Sequence, residues 1–246
     1  MPVAENIADI RNRIAAAARR KGRTPEDVVL MAVSKTVSPE KIHEAYTAGL
    51  RLFGESRIQE MAAKASAVRD LKDAEWHMIG HLQSNKSLKA AELFGAVESV
   101  DSVRLAEKLN AATEQVGKTL AILIEINVGG EVAKSGLAPE SSELQAILQA
   151  AKRLPYLEFR GLMTVPPFTE DAEGARPFFR KLRKLRDGIA HARWPNVGMD
   201  VLSMGMSHDF EIAVEEGSTC VRVGTALFGE RQKDLTTEDT ESTEKD

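Results

Sequence analysis

Val28-Val29-Leu30-Met31-Ala32-Val33-Ser34-Lys35 is the stretch whose reading decides the fold. Its valine-rich apolar run is too short for a buried helix and fits a strand covered on both faces, as in a parallel sheet flanked by helices. Residues two apart on a strand share a face. Lys35 therefore points with Val33 and Met31, and the run ends by presenting an amine where the strand stops.

Working outward, seven more short apolar runs follow, at 51–54, 75–79, 96–100, 120–127, 158–165, 200–204 and 220–224. Helical patterns separate them, near 39–48, 56–69, 84–93, 102–116, 139–153, 171–191 and 208–216. Capping signals mark several starts, among them Ser38-Pro39 with Glu40, and Asp101-Ser102. Before the first strand, Ile7, Ile10 and Ile14 sit at helical spacing from about Ala4 to Arg20 and predict an extra N-terminal helix. Eight strands alternating with helices predict an α/β fold, a single (β/α)8 TIM barrel. The competing doubly wound sheet lacks a G-x-G-x-x-G loop after any strand, so its dinucleotide-binding version has little support.

The 246 residues suit one such barrel, and 43% hydrophobic residues are enough to fill its core. No Pro/Ser/Gly-rich linker divides the chain, so 1–231 reads as one domain. Residues 232–246, nearly all Lys, Asp, Glu, Thr and Ser, read as an acidic disordered tail. A net charge of -4 offers no uniform basic field for nucleic acid. The lone Cys220 excludes an internal disulfide and a multi-cysteine zinc site, and it reads as a small buried residue. The start carries no apolar signal segment and no run is long enough to span a membrane, so the expected compartment is the cytoplasm.

In a parallel barrel the reactive groups lie at the C-terminal ends of the strands. A lysine there is partly desolvated, which lowers its pKa and frees its amine to attack a carbonyl, although position alone slightly favours a lysine reaching out to solvent. The loops after strands seven and eight are the usual phosphate site of such barrels. Here they read Leu202-Ser203-Met204-Gly205-Met206-Ser207 and Val221-Arg222-Val223-Gly224-Thr225-Ala226. Ser203 and Thr225 offer hydroxyls, and Gly205 and Gly224 allow backbone N–H groups to approach an anion, or simply make tight turns. Arg222 should face inward and must meet a ligand or a carboxylate, because an uncompensated buried charge is costly. His77 reads as a satisfied core histidine, and His81 and His208 as rim residues. No histidine has a partner at metal-ligand spacing, so no metal site is expected.

Ala32-Val33-Ser34-Lys35-Thr36, Phe53-Gly54-Glu55, Trp76-His77-Met78-Ile79-Gly80, Leu82-Gln83-Ser84-Asn85-Lys86, Lys134-Ser135-Gly136, Arg160-Gly161-Leu162-Met163 and the two loop segments above occur in the order of one family. From Ile7 to Arg231 the chain resembles the pyridoxal phosphate homeostasis protein family, also called YggS-like or PROSC-like. The resemblance implies a barrel of the alanine racemase N-terminal-domain type that holds pyridoxal 5'-phosphate (PLP). It makes Lys35 the Schiff-base lysine, places Ser203, Gly224 and Thr225 on the phosphate, and turns Arg222 to the pyridine nitrogen. Met204 and Gly205 complete the expected cofactor-binding set. An arginine at the ring nitrogen cannot give it a carboxylate's help in protonation, which weakens the ring as an electron sink. Ser56, His81 and His208 depart from the family's usual Asn, Pro and Asp and touch the rim of the site.

The resemblance implies a monomeric, non-enzymatic carrier that buffers PLP and hands it to PLP-dependent apo-enzymes. The alternative is a racemase-like enzyme, for which no second base is evident in the sequence; the only tyrosines are Tyr46 and Tyr156.

Overall fold

The computed structural model describes residues 2–131 and 134–229. After α1 (Val3–Arg20) the chain runs β1 (Val29–Val33), α2 (Pro39–Thr47), β2 (Leu52–Glu55), α3 (Ile58–Lys64), β3 (Glu75–Met78), α4 (Ser87–Leu93), β4 (Ala96–Val100) and α5 (Val103–Val116). It continues through β5 (Leu120–Glu125), α6 (Ser142–Ala150), β6 (Leu157–Met163), α7 (Arg176–Ala192), β7 (Val197–Ser203), α8 (Phe210–Glu215), β8 (Cys220–Val223) and α9 (Thr225–Phe228). The strands pair in chain order, and β1 closes on β8, giving a closed parallel barrel. The (β/α)8 barrel expected from the strand runs is the fold found.

Strand parity divides the structure into two shells. Ala32 pairs with Phe53 and Val223, and these side chains are buried under the helices. Met31 pairs with Arg222 and Val33 with Gly54, so this alternate set turns into the barrel. The outer shell is conventionally apolar: Leu30, Phe53, Trp76, Met78, Val97, Ile122, Leu162, Leu202 and Val221 are all buried in one cluster with the helices. The inner shell is not, for it buries Glu98, Glu125, Ser203 and Arg222.

Local chemistry sets the element ends. Ser102 accepts the Leu105 N–H at 3.2 Å to start α5, and Ser141 accepts the Leu144 N–H at 3.3 Å to start α6. The N-terminal helix α1 buries Val3, Ile7, Ile10, Ile14, Ala17 and Ala18, and Arg13 reaches over the Phe210 ring of α8 at 4.7 Å.

Several boundaries differ from the sequence expectation. β5 stops at Glu125 rather than 127 because Leu137 N–H donates to the Glu125 carbonyl and Asn127 N–H to the Leu137 carbonyl, each at 2.8 Å. The chain there folds back on the strand end instead of extending it. β7 begins earlier, at Val197, and α3 is shorter than the pattern over 56–69. Where the sequence suggests a turn after the eighth strand, the four-residue α9 forms. The domain limit at 231 and the acidic tail 232–246 lie outside the described residues. No described helix is long and apolar enough to cross a membrane.

Candidate cofactor site

Lys35 leaves the end of β1 half-buried, and α3 grips the peptides on both sides of it. Ser34 Oγ donates to Glu55 Oε1 at 2.7 Å, and Lys64 Nζ donates to the Ser34 carbonyl at 2.8 Å and to Glu55 Oε1 at 3.1 Å. On the other side, Thr36 N–H donates to Glu60, whose carboxylate also receives Lys64 Nζ at 3.0 Å. Thr36 has φ 60°, a left-handed conformation that costs about 1–2 kcal/mol for a residue with a Cβ. The Glu60 contact offsets that cost and holds the turn that follows Lys35. Burial pushes the Glu55 carboxyl up, against the opposing pull of Ser34 and Lys64.

A hydrogen-bonded seam crosses the barrel interior. His77 Nδ1 lies 2.8 Å from Glu98 Oε1, and Ser203 Oγ donates to Glu98 Oε2 at 2.6 Å. Arg222 Nη1 donates to Ser203 Oγ at 2.7 Å and Nη2 to the Thr164 carbonyl at 2.7 Å. Burial works to raise the Glu98 pKa, but His77, the Arg222 charge and Ser203 outweigh it and hold the carboxyl below its ordinary range. An ionised Glu98 only accepts, so the proton facing it from His77 sits on Nδ1. Of the two partners the sequence allows for Arg222, a ligand or a carboxylate, Glu98 supplies the carboxylate, one hydroxyl away.

The turns after β7 and β8 lie against each other. Gly205, with φ 95°, has its carbonyl on the Arg222 N–H at 2.9 Å, and a Cβ there would stand 2.5 Å from the Ala213 Cβ. Glycine is thus required by conformation and by the close approach of α8. Asp209 Oδ1 accepts the Met206 N–H at 2.7 Å, and Ser207 Oγ accepts the Ala226 N–H at 3.2 Å, joining the two turns. Gly224 and Thr225 open α9 beside them, with Thr225 exposed.

Two residues expected in the cofactor set are placed differently. Ser203 is fully buried, and its hydroxyl is engaged by Glu98 and Arg222. Met204 lies in the shell between strands and helices, with its N–H on the Cys220 carbonyl at 3.1 Å and its carbonyl on Ser218 Oγ at 2.8 Å. Ser207, not singled out from the sequence, occupies the position between the turns.

Two further carboxyls lie at strand ends. Glu125, 7% exposed, and Glu55 each keep one buried oxygen without a hydrogen-bond partner among the described residues. Burial, reinforced by nearby Asp101 and opposed by Arg222, pushes Glu125 up to about 7. The neighbouring loop covers it, since a Cβ on Gly136 would stand 3.1 Å from Glu125 Cγ. Cys220 is buried, and its thiol is pushed far up by desolvation, which suits a small interior residue and not a nucleophile. At the opposite, N-terminal end of the barrel a cavity of about 1280 Å³ reaches His77, Glu98 and Cys220 from below. It lies at the other end of the barrel from Lys35. His81 and His208 are exposed on the rim, His208 with Nε2 3.1 Å from the Thr169 carbonyl. Among the described residues no group of three His, Cys, Asp or Glu could hold a metal ion.

The fold and its strand ends define a class: a closed parallel barrel with a lysine two residues past its first strand and a buried arginine in its last. The chain belongs to the pyridoxal phosphate homeostasis protein family, within the broader family described as alanine racemase, N-terminal domain, which matches residues 6–232. The pyridoxal phosphate homeostasis protein of Aquifex aeolicus is 44% identical over 232 residues, 94% of this chain and 100% of that protein. The one of Escherichia coli K12 is 42% identical over 233 residues, 93% of this chain and 97% of that protein. Among solved structures, PipY of Synechococcus elongatus with PLP bound is 37% identical with a TM-score of 0.81, covering 92% of this chain and 100% of PipY. Alanine racemase of Clostridium difficile shares the fold at TM-score 0.69 and 16% identity, covering 95% of this chain and 58% of the racemase.

Proposed function

We propose that this protein binds PLP at the C-terminal mouth of the barrel, holds it as a Schiff base on Lys35, and acts as an intracellular carrier that delivers it to apo-enzymes. The observation that supports the reading is the pairing of β1 with β8, which sets Met31 opposite Arg222 and brings Val33, two residues before Lys35, against Gly224. An amine for the aldehyde and a cation for the ring nitrogen then share one side of the mouth. PipY, a structure with PLP bound that is similar over nearly the whole chain, supports PLP as the ligand.

The residues present fit the group. Gly224, Thr225 and Ser207 frame a turn where backbone N–H groups and hydroxyls can receive a phosphate, and we assign the phosphate to them. Ser203 acts through Arg222 instead. When bound, PLP supplies an electrophilic carbonyl and an electron-accepting ring. The chain's own residues present the amine, anchor the anion and keep a cation at the ring nitrogen, which disfavours carbanion chemistry. A monomer acting in the cytoplasm, without nucleic acid or membrane as partner, suits this role.

One observation favours the second reading, a racemase-like enzyme. Glu125 stands at the end of β5, across an eight-stranded barrel from β1, with a carboxyl able to exchange a proton near neutral pH. The readings separate on turnover. A carrier returns PLP to an apo-enzyme and leaves L-alanine optically unchanged. Racemisation at ordinary enzymatic rates, lost in Glu125→Gln, would replace the carrier with the enzyme.

A further inference from the structure

We infer that Glu98 is a positioning residue for Arg222: acting through Ser203, it fixes the guanidinium so that the site reads the ring nitrogen of its cofactor. The inference rests on the PLP reading above and adds to it how the nitrogen is recognised.

The argument is one of committed protons. A serine hydroxyl rotates freely and can turn either its proton or a lone pair towards a neighbour. Beside a guanidinium only the lone pair is useful, because Arg222 donates at every nitrogen. The Ser203 proton is committed to Glu98 Oε2 at 2.6 Å, which leaves lone pairs for Arg222 Nη1 at 2.7 Å. Glu98 itself is kept from turning by His77 Nδ1 at 2.8 Å on its other oxygen. Arg222 Nη2 meets the Thr164 carbonyl at 2.7 Å, whose position is set in turn by the β6 end. Two bonds from two nitrogens fix the plane of the fork, and with it the direction of its remaining donors.

Charge points the same way. Glu98 is 1% exposed and Arg222 3% exposed, so neither charge is relieved by water at the mouth. Glu98 supplies the counter-charge through the Ser203 hydroxyl and not by direct contact with the guanidinium. This also accounts for the full burial of Ser203, which a phosphate ligand at the mouth would not need.

The test compares the affinity of PLP with that of its 1-deaza analogue, in which C–H replaces the ring nitrogen, by equilibrium binding to the full chain. The wild-type protein should prefer PLP by about 10- to 100-fold, the worth of one charge-assisted hydrogen bond. Glu98→Gln keeps the shape and removes the charge, and Ser203→Ala removes the link. In both, the preference should collapse towards unity because PLP binding weakens while binding of the analogue hardly changes. Ser203→Ala, a small change, serves if Glu98→Gln does not fold, and Arg222→Gln should abolish any further effect of either. Equal weakening of both ligands would show a merely structural role and overturn the inference, as would an undiminished preference in the variants or none in the wild type. Failure of the wild type to bind PLP at all would instead overturn the underlying cofactor reading.

Discussion

Glu98 and Glu125 are carboxyls buried in the interior of the same barrel, one in the middle of β4 and one at the end of β5, and their surroundings drive them apart. Glu98 has a partner on each oxygen and a guanidinium one hydroxyl away, and it stays ionised. Glu125 keeps one oxygen without a partner, has Asp101 nearby, and is pushed up to about 7. Burial penalises charge equally in kind at both places; what differs is the company. The seam is built to hold a fixed charge pattern, and the β5 end is built to hold a proton.

The comparison breaks most visibly at Glu98. Glu98→Ala strands the Arg222 charge in the barrel and should destabilise the fold by about 3–5 kcal/mol at pH 7, read from urea or thermal unfolding. A loss no larger than that of a surface substitution would mean the seam is not a fixed network.

Glu125 should behave in the opposite sense. Its folded pKa of about 7 lies above the ordinary 4.5, so the folded state holds the extra proton and stability falls as pH rises between these values. Glu125→Gln should therefore stabilise the protein by about 2–3 kcal/mol at pH 8 and leave it nearly unchanged at pH 4.5. Glu98, depressed below 4.5, contributes stability that is present above that value and lost as pH falls through its folded pKa. Glu98→Gln should thus lie below wild type by a near-constant amount above pH 5 and approach it only at lower pH, whereas the gain from Glu125→Gln should grow between pH 4.5 and 8; a Glu125→Gln curve parallel to wild type would erase the distinction.

Glu55 is intermediate. Burial raises it, yet Ser34 and Lys64 hold one of its oxygens. Glu55→Gln exchanges a buried charge for the loss of an ion pair, and its stability change should stay within about 1 kcal/mol. A larger loss would place the α3 grip on Lys35 among the main supports of the fold.

The barrel was legible in the sequence because strands buried on both faces leave continuous apolar runs, and each of the eight lies where such a run stands. The place of Lys35 just past β1 is legible for the same reason, as the charge on which the first run stops. Element ends were less so: β5 is cut short by hydrogen bonds from Leu137, twelve residues on, which no local pattern announces. Glu98 was missed although Ala96-Val97-Glu98-Ser99-Val100 carries a signal, a carboxylate inside an otherwise apolar strand. Its partners are 21 residues back and 105 residues on, and only closure of the barrel brings them together. Ser203 was assigned to the phosphate because its place at a strand end is visible in sequence and the inward neighbours that engage its hydroxyl are not.

The central claim is a cofactor held covalently on Lys35. The most direct measurement is the visible absorption spectrum of the protein incubated with PLP, before and after borohydride, with mass mapping of the reduced peptides. The account predicts a Schiff-base band that borohydride removes, leaving a pyridoxyl group on Lys35. No band with excess PLP, or an adduct on another lysine alone, would contradict it.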